Sequence, residues 1–282
     1  MSEMVSYREF PPPESLRRHV RCLWHLAVRG NSGHVQTIYP DGCCEIIAHR
    51  KTPMHACSEP TGWRQQHRSI FAAQQRAAIR LAARADADCL GVRLQPAASV
   101  ALANIPLADL RDSIIDLATV DPAFADRFHA AATRPDIATS VRSVFALLEE
   151  CLLPAAIDPR IEQVIARLEA GQGAGPIAPL IAVSGMSERA FQGAFRKQVG
   201  LSAKEFARIL RLQATIRTLD EGDRSMAELA LERGFSDQAH ATREVRRVTG
   251  TTPARLRDAL RHDRDGDSSI RLAAAFVRGR MD

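Results

Sequence analysis

The stretch IAPLIAVSGMSERAFQGAFRKQVGLS, from Ile177 to Ser202, is restated further on as MAELALERGFSDQAHATREVRRVTGTT, from Met226 to Thr252. Gly185-Met186-Ser187-Glu188 lines up with Gly234-Phe235-Ser236-Asp237, Phe195-Arg196-Lys197 with Val245-Arg246-Arg247, and Gly200 with Gly250. The second copy carries one extra residue between its turn and its basic pair. Each copy reads as a short helix, a glycine turn and a second, basic helix.

In the first copy, Ile177, Leu180 and Ile181 mark the inner side of the short helix. Gly185 supplies a positive φ, Ser187 is the expected cap of the next helix, and Glu188 suits that helix's positive end. Phe191 and Phe195, one turn apart, point inward and leave Arg189, Gln192, Gly193 and Arg196 outside. Ser202-x-x-Glu205 is a capping box for a helix over about 203–220, with Ile209, Leu212, Ile216 and Leu219 on its buried side. Lys204, Arg208 and Arg211 form a basic row away from that side. At ~1.5 Å per residue this helix spans roughly 27 Å, a strut between the copies. The second copy opens on the box Ser225-x-x-Glu228, with Leu229, Ala230 and Leu231 expected inward. Ser236 is the expected cap, His240 or Ala241 and then Val245 the core, and Gln238, Thr242, Arg243 and Arg246 the outer face. Thr252-Pro253 starts a final helix, 253–261.

The chain of 282 residues is long enough for two domains, and 45% apolar with 25% charged residues is ordinary for a folded protein. No apolar run approaches the ~20 residues that span a bilayer. MSEMVSYREFPPPES has neither the basic start nor the apolar stretch of a secretory signal, so a cytoplasmic protein without membrane association is expected. The net charge of +5 is concentrated: residues 1–154 hold 17 Lys+Arg against 16 Asp+Glu, whereas 176–262 hold 15 against 10. The excess lies on the repeated segment, as a phosphate-facing surface requires. All six cysteines (Cys22, Cys43, Cys44, Cys57, Cys89, Cys151) precede it, and without export most are expected to be buried thiols.

In the N-terminal half, strands are expected at 21–28, 35–39, 45–48 and 88–94, with Pro40-Asp41-Gly42 as a hairpin turn. Residues 50–68 show no clear pattern. Helices are expected at about 97–104, 109–117, 122–131 and 137–152, so the half reads as α+β. Asp158-Pro159 then starts a helix carrying Ile161, Val164, Ile165 and Leu168, which ends at the glycine-rich 171–175.

Two resemblances follow. YPDGCCEII (39–47) and CLGVRLQPAASVALANIPLADLRDSIIDL (89–117) resemble an N-terminal domain of undetermined role on a branch of AraC-type transcription regulators, with Leu94 where Phe is usual. GFSDQAHATREVRRVTGTTP (234–253) is similar to the signature of the AraC/XylS family, and 159–261 fits that family's DNA-binding domain. The resemblance implies seven helices forming two helix-turn-helix units joined by a linker helix. It carries base-reading positions onto Arg189, Gln192 and Gly193 in the first unit and Gln238, Ala239, Thr242 and Arg243 in the second. Gly193 departs from the longer polar or basic residue frequent there, and Ala241 and Val245 from larger apolar ones.

The expected fold is therefore an α+β domain over 1–154, a small antiparallel sheet plus helices, then an all-α double helix-turn-helix domain over 155–262 and a tail, 263–282. Arg189, Gln192, Gln238, Thr242 and Arg243 are the candidates for base edges, since Arg pairs with guanine and Gln with adenine. Arg196, Lys197, Arg208, Arg246 and Arg247 are the candidates for phosphates. The expected function is a sequence-specific regulator of transcription acting on double-stranded promoter DNA, without cofactor or catalysis. A small-molecule effector or a partner chain would act through the N-terminal domain, with RNA polymerase a partner of an activator and a homodimer an open arrangement. Two rivals concern the N-terminal half. Cys43, Cys44, His49, His55 and Cys57 suit zinc or copper(I) by ligand type, but their spacing matches no CxxC or HxxxH pattern. Cys43 or Cys89 as an alkyl-accepting nucleophile would need an activating neighbour. Glu45 and Arg93, on inner strands, suit either an effector or an ion pair, with the pair preferred.

Overall fold

The computed structural model describes residues 4–29, 35–58, 62–101, 106–152, 157–221 and 224–265. Strands β1 (Met4–Phe10), β2 (Val20–Arg29), β3 (Val35–Ile38), β4 (Glu45–His49), β5 (His55–Ser58), β6 (Gly62–Gln65), β7 (Ser69–Ala72), β8 (Ile79–Ala82), β9 (Ala87–Leu94) and β10 (Ile114–Asp116) form two antiparallel sheets. One has the order β1-β2-β9-β4-β7-β10 and the other β3-β8-β5-β6. Helices α1 (Leu117–Val120), α2 (Pro122–Ala132) and α3 (Ile137–Leu152) cover one face of the larger sheet. There Leu23, Ile46, Phe71 and Val92 meet Phe128, Val144 and Leu148. Its other face carries Trp24, Leu26 and Cys89, which pack with Met54 and Leu81 toward the smaller sheet. Covered on both sides, β9 is buried almost throughout instead of alternating.

The α+β class holds, but four local expectations change. Residues 50–68, without a legible pattern, supply β5 and β6. Pro40-Asp41-Gly42 does not close a hairpin, because β3 pairs with β8 and β4 lies between β9 and β7. The segment expected as a helix over 109–117 contains β10, an edge strand on β7, since Asp112 at φ +59° interrupts any helix. Of 97–104, Ser99–Ala101 form a single 3-10 turn, and 102–105 lie outside the described residues.

The helical half comprises α4 (Pro159–Ala170), α5 (Ala178–Ser184), α6 (Glu188–Val199), α7 (Ala203–Glu221), α8 (Met226–Glu232), α9 (Gln238–Thr249) and α10 (Pro253–Asp265). The last runs past the expected 261, and 266–282 lie outside the described residues. Ile161, Val164 and Leu168 of α4 pack with Phe191, Phe195 and Phe206, and Ala97 and Ala98 from the sheet-bearing half join them. Leu212, Ile216 and Leu219 of α7 pack with Val245, Val248, Leu256 and Leu260, and Tyr39 reaches this second cluster. The two halves are also tied by Arg18–Glu162 at 2.6 Å, by Arg21–Glu169, and by a hydrogen bond from Ala78 N to Val248 O at 2.8 Å. At the centre of the contact, Gln213 Nε2 of α7 donates to Pro40 O. No helix among the described residues is long and apolar enough to cross a membrane.

Candidate nucleic-acid interface

α5–α6 and α8–α9 are the two helix-turn-helix units, and α7 joins them. Gly185 and Gly234 turn their chains at φ +66° and +68°, a region that an L side chain occupies at a cost. Ser187 caps α6 by accepting from Ala190 N at 3.3 Å. On α9 the expected cap is corrected: Asp237, not Ser236, accepts from His240 N, at 2.6 Å. The hydroxyl of Ser236 instead meets His240 Nδ1 at 3.1 Å. The extra residue of the second copy is thus absorbed in the turn, and from the caps onward the helices run in step. Phe191 and Ala241 are buried at matching places, as are Phe195 and Val245.

That register places the candidate residues on one kind of face. Arg189, Arg196 and Lys197 are exposed on α6, with Gln192 half-buried beside them. Gln238, Arg243, Arg246 and Arg247 are exposed on α9, with Thr242 half-buried in the place of Gln192. Gly193 occupies the place of Arg243, so α6 presents no side chain where α9 presents its guanidinium. Leu231, expected inward, is 84% exposed on α8, while Leu229 and Ala230 are buried as expected.

The expected basic row on α7 does not form a free surface. Arg208 lies 2.7 Å from Glu244 of α9, with 26% of its side chain exposed. Arg211 is half-buried with its guanidinium 5.6 Å from the Phe235 ring centroid. Of the three, Lys204 is exposed. Sequence reasoning missed Glu244, because a lone glutamate on a basic helix reads as a solvated residue until the partner helix is in place.

In the sheet-bearing half, Arg93 is 2% exposed and its Nε lies 2.9 Å from Glu45 and 3.1 Å from Asp41, so the preferred ion pair is present. Trp24 Nε1 donates to the same Glu45 at 3.2 Å. Burial outweighs these partners and pushes the Glu45 carboxyl up to about 6. The five candidate metal ligands are dispersed. Cys43 lines a cleft, Cys44 enters the helix-covered core, His49 Nδ1 meets Cys89 Sγ at 3.1 Å, and His55 and Cys57 belong to β5. Among the described residues no three His, Cys, Asp or Glu side chains are gathered as a metal site. Burial raises the Cys43 and Cys89 thiols above their ordinary range, the opposite of an activated nucleophile.

Residues 180–259 match the family model of a helix-turn-helix domain. The repeated units on α7 and this match decide the second half. It is an AraC-type helix-turn-helix domain. Residues 8–116 match a domain of unknown function, DUF6597. The chain is 37% identical over 75 residues to the probable transcription factor PqrA of Proteus vulgaris, covering 27% of this chain and 62% of that protein. An uncharacterized HTH-type transcriptional regulator of Haemophilus influenzae is 28% identical over 115 residues, 40% of this chain and 39% of that protein. The chain therefore spans less than two thirds of either relative. Among solved structures, the DNA-binding domain of AdpA, a global transcriptional factor in complex with a target DNA, is 28% identical. It covers 38% of this chain and 98% of that one, with a TM-score of 0.36.

Proposed function

We propose that the protein is a sequence-specific regulator of transcription that reads double-stranded DNA with α6 and α9. The observation that carries this is the matched outward face of the two helices, each basic, each capped at its start and each packed against one strut. A strut of ~28 Å can present two helices to successive major grooves, which recur every ~34 Å. Arg189, Gln192, Gln238, Thr242 and Arg243 would meet base edges, and Arg196, Lys197, Arg246 and Arg247 phosphates. Arg208, paired with Glu244, is better placed to brace than to bind phosphate. The working division is a sensory unit over 1–154 and a reading unit over 155–262, with 263–282 unassigned.

Control through the sensory unit is part of the proposal. A cleft of about 50 Å³, bordered by Tyr39, Asp41, Cys43, Glu45 and Gln75, adjoins the turn that sits on α7. An effector bound by the sensory unit would change how this turn meets the strut, and so favour one spacing of the reading helices. RNA polymerase would be the further partner if the protein activates, and a second copy if it binds paired half-sites.

The test is salt-dependent binding of the full chain to duplexes from its own promoter region. Binding that weakens steeply with salt and discriminates among those duplexes supports the proposal. No binding at low salt, or equal binding to every duplex, overturns it.

A further inference from the structure

The two reading helices are seated on α7 by different chemistry. Beneath α6, Phe191 and Phe195 are fully buried with ring centroids 5.7 Å apart, and Phe206 of α7 lies 6.0 Å from Phe195. Interlocked rings of this size set both the height and the roll of a helix by shape. The matching positions of α9 hold Ala241 and Val245, a smaller footing with less to resist rotation.

On that flank α9 carries Glu244, where α6 has Ala194. The Glu244 side chain is 17% exposed, and its Oε2 lies 2.7 Å from Arg208 Nε on α7. The N–H is not aligned on this oxygen, so the contact is Coulombic. The charge of Glu244 also favours the half-buried Arg211 cation, and Arg247 approaches it to 4.0 Å. A partly buried pair of this kind adds little net stability compared with apolar packing, but a charge anchored at one point of α7 opposes rotation of α9, and losing one partner strands the other.

Resting on the DNA-reading role proposed above, we infer that Glu244 is a positioning residue whose pairing with Arg208 sets the roll of α9 and thereby aims Arg243. Successive helical residues are about 100° apart around the axis, so a carboxylate held against α7 turns its neighbour Arg243 into the exposed arc. The pair does for the second unit what the phenylalanine cluster does for the first.

The test uses the full chain and a duplex selected by it from a random-sequence library, beside a scrambled duplex of equal length. Glu244→Gln should weaken the selected duplex about tenfold, the loss of one base contact, and leave the scrambled duplex unchanged or slightly tighter. Arg208→Gln should weaken the selected duplex to a similar extent and leave the scrambled duplex unchanged or slightly weaker. The double variant should lose no more than the worse single one, because both act through one pair. Unchanged affinity for the selected duplex in Glu244→Gln would overturn the inference. So would an equal shift on both duplexes, which marks a general charge or folding effect, and so would losses that multiply in the double variant. If the wild-type chain selects no sequence at all, the DNA-reading proposal fails first and takes this inference with it.

Discussion

Gly42 and Phe206 leave no room for a methyl group between them. A Cβ on Gly42 would lie 2.6 Å from the Phe206 ring, and the glycine's φ is +81°. A turn of the sheet-bearing half is thus pressed onto the first part of the helix that separates the two reading units. Gly42→Ala should lower stability by roughly 1–3 kcal/mol through left-handed backbone strain and overpacking. Chemical unfolding of Gly42→Ala, Phe206→Leu and the pair together checks this. The double variant should lose less than the sum of the singles, because the smaller side chain relieves the clash.

The cap of the second reading helix separates two neighbouring residues. Asp237→Ala removes the acceptor for His240 N and should cost about 1 kcal/mol, whereas Ser236→Ala should cost clearly less. Urea midpoints of the two variants decide it, and equal losses would return the capping role to Ser236.

Arg243 and Arg247 are both exposed on α9, but they face different parts of a bound duplex in the proposed arrangement. Arg243→Ala should cost roughly 1–3 kcal/mol on a preferred sequence and relax discrimination, while Arg247→Ala should weaken all duplexes alike and lower the salt slope by about one. Titrations of each variant on a preferred and a scrambled duplex, at two salt concentrations, separate the two roles.

His49 supplies a pH dependence. Burial lowers its pKa from 6.5 to about 4, so between those values the unfolded chain takes up a proton that the folded chain does not. The stability it contributes is present in full above pH 6.5 and is lost as the pH falls toward 4. The loss is at most about 3 kcal/mol for a shift of this size. His49→Gln should flatten the fall in unfolding free energy between pH 7 and 4.5. A slope identical to that of the wild type would show that the imidazole does not titrate differently on folding.

The helical half was largely legible because its signals are local. Capping boxes, turn glycines and one-sided apolar spacing act within a few residues, and α4, α6, α7 and α9 begin and end close to where those signals lie. The cap of α9 was misplaced by one residue because Ser236 and Asp237 are both good caps, and only the register of the turn separates them. In the sheet-bearing half the local signals misled. Asp-Gly predicts a hairpin, but the strands around it join different sheets, and pairing between distant strands leaves no mark at the turn itself. Strands β1, β7 and β8 also lie outside the expected ones, and β5 and β6 fall in a run with too little alternation to announce them.

The sequence by itself determined that there are two reading units, where their turn glycines fall, and which side chains α6 and α9 turn outward, because these follow from backbone chemistry and helical period. Only the tertiary structure decided what holds the units in relation to each other. Arg208 meets Glu244 across two helices, Phe206 meets both Phe195 and Gly42, and Gln213 meets Pro40 from the far end of the chain. Such contacts depend on packing between segments up to 173 residues apart. No periodicity or spacing within one segment encodes them.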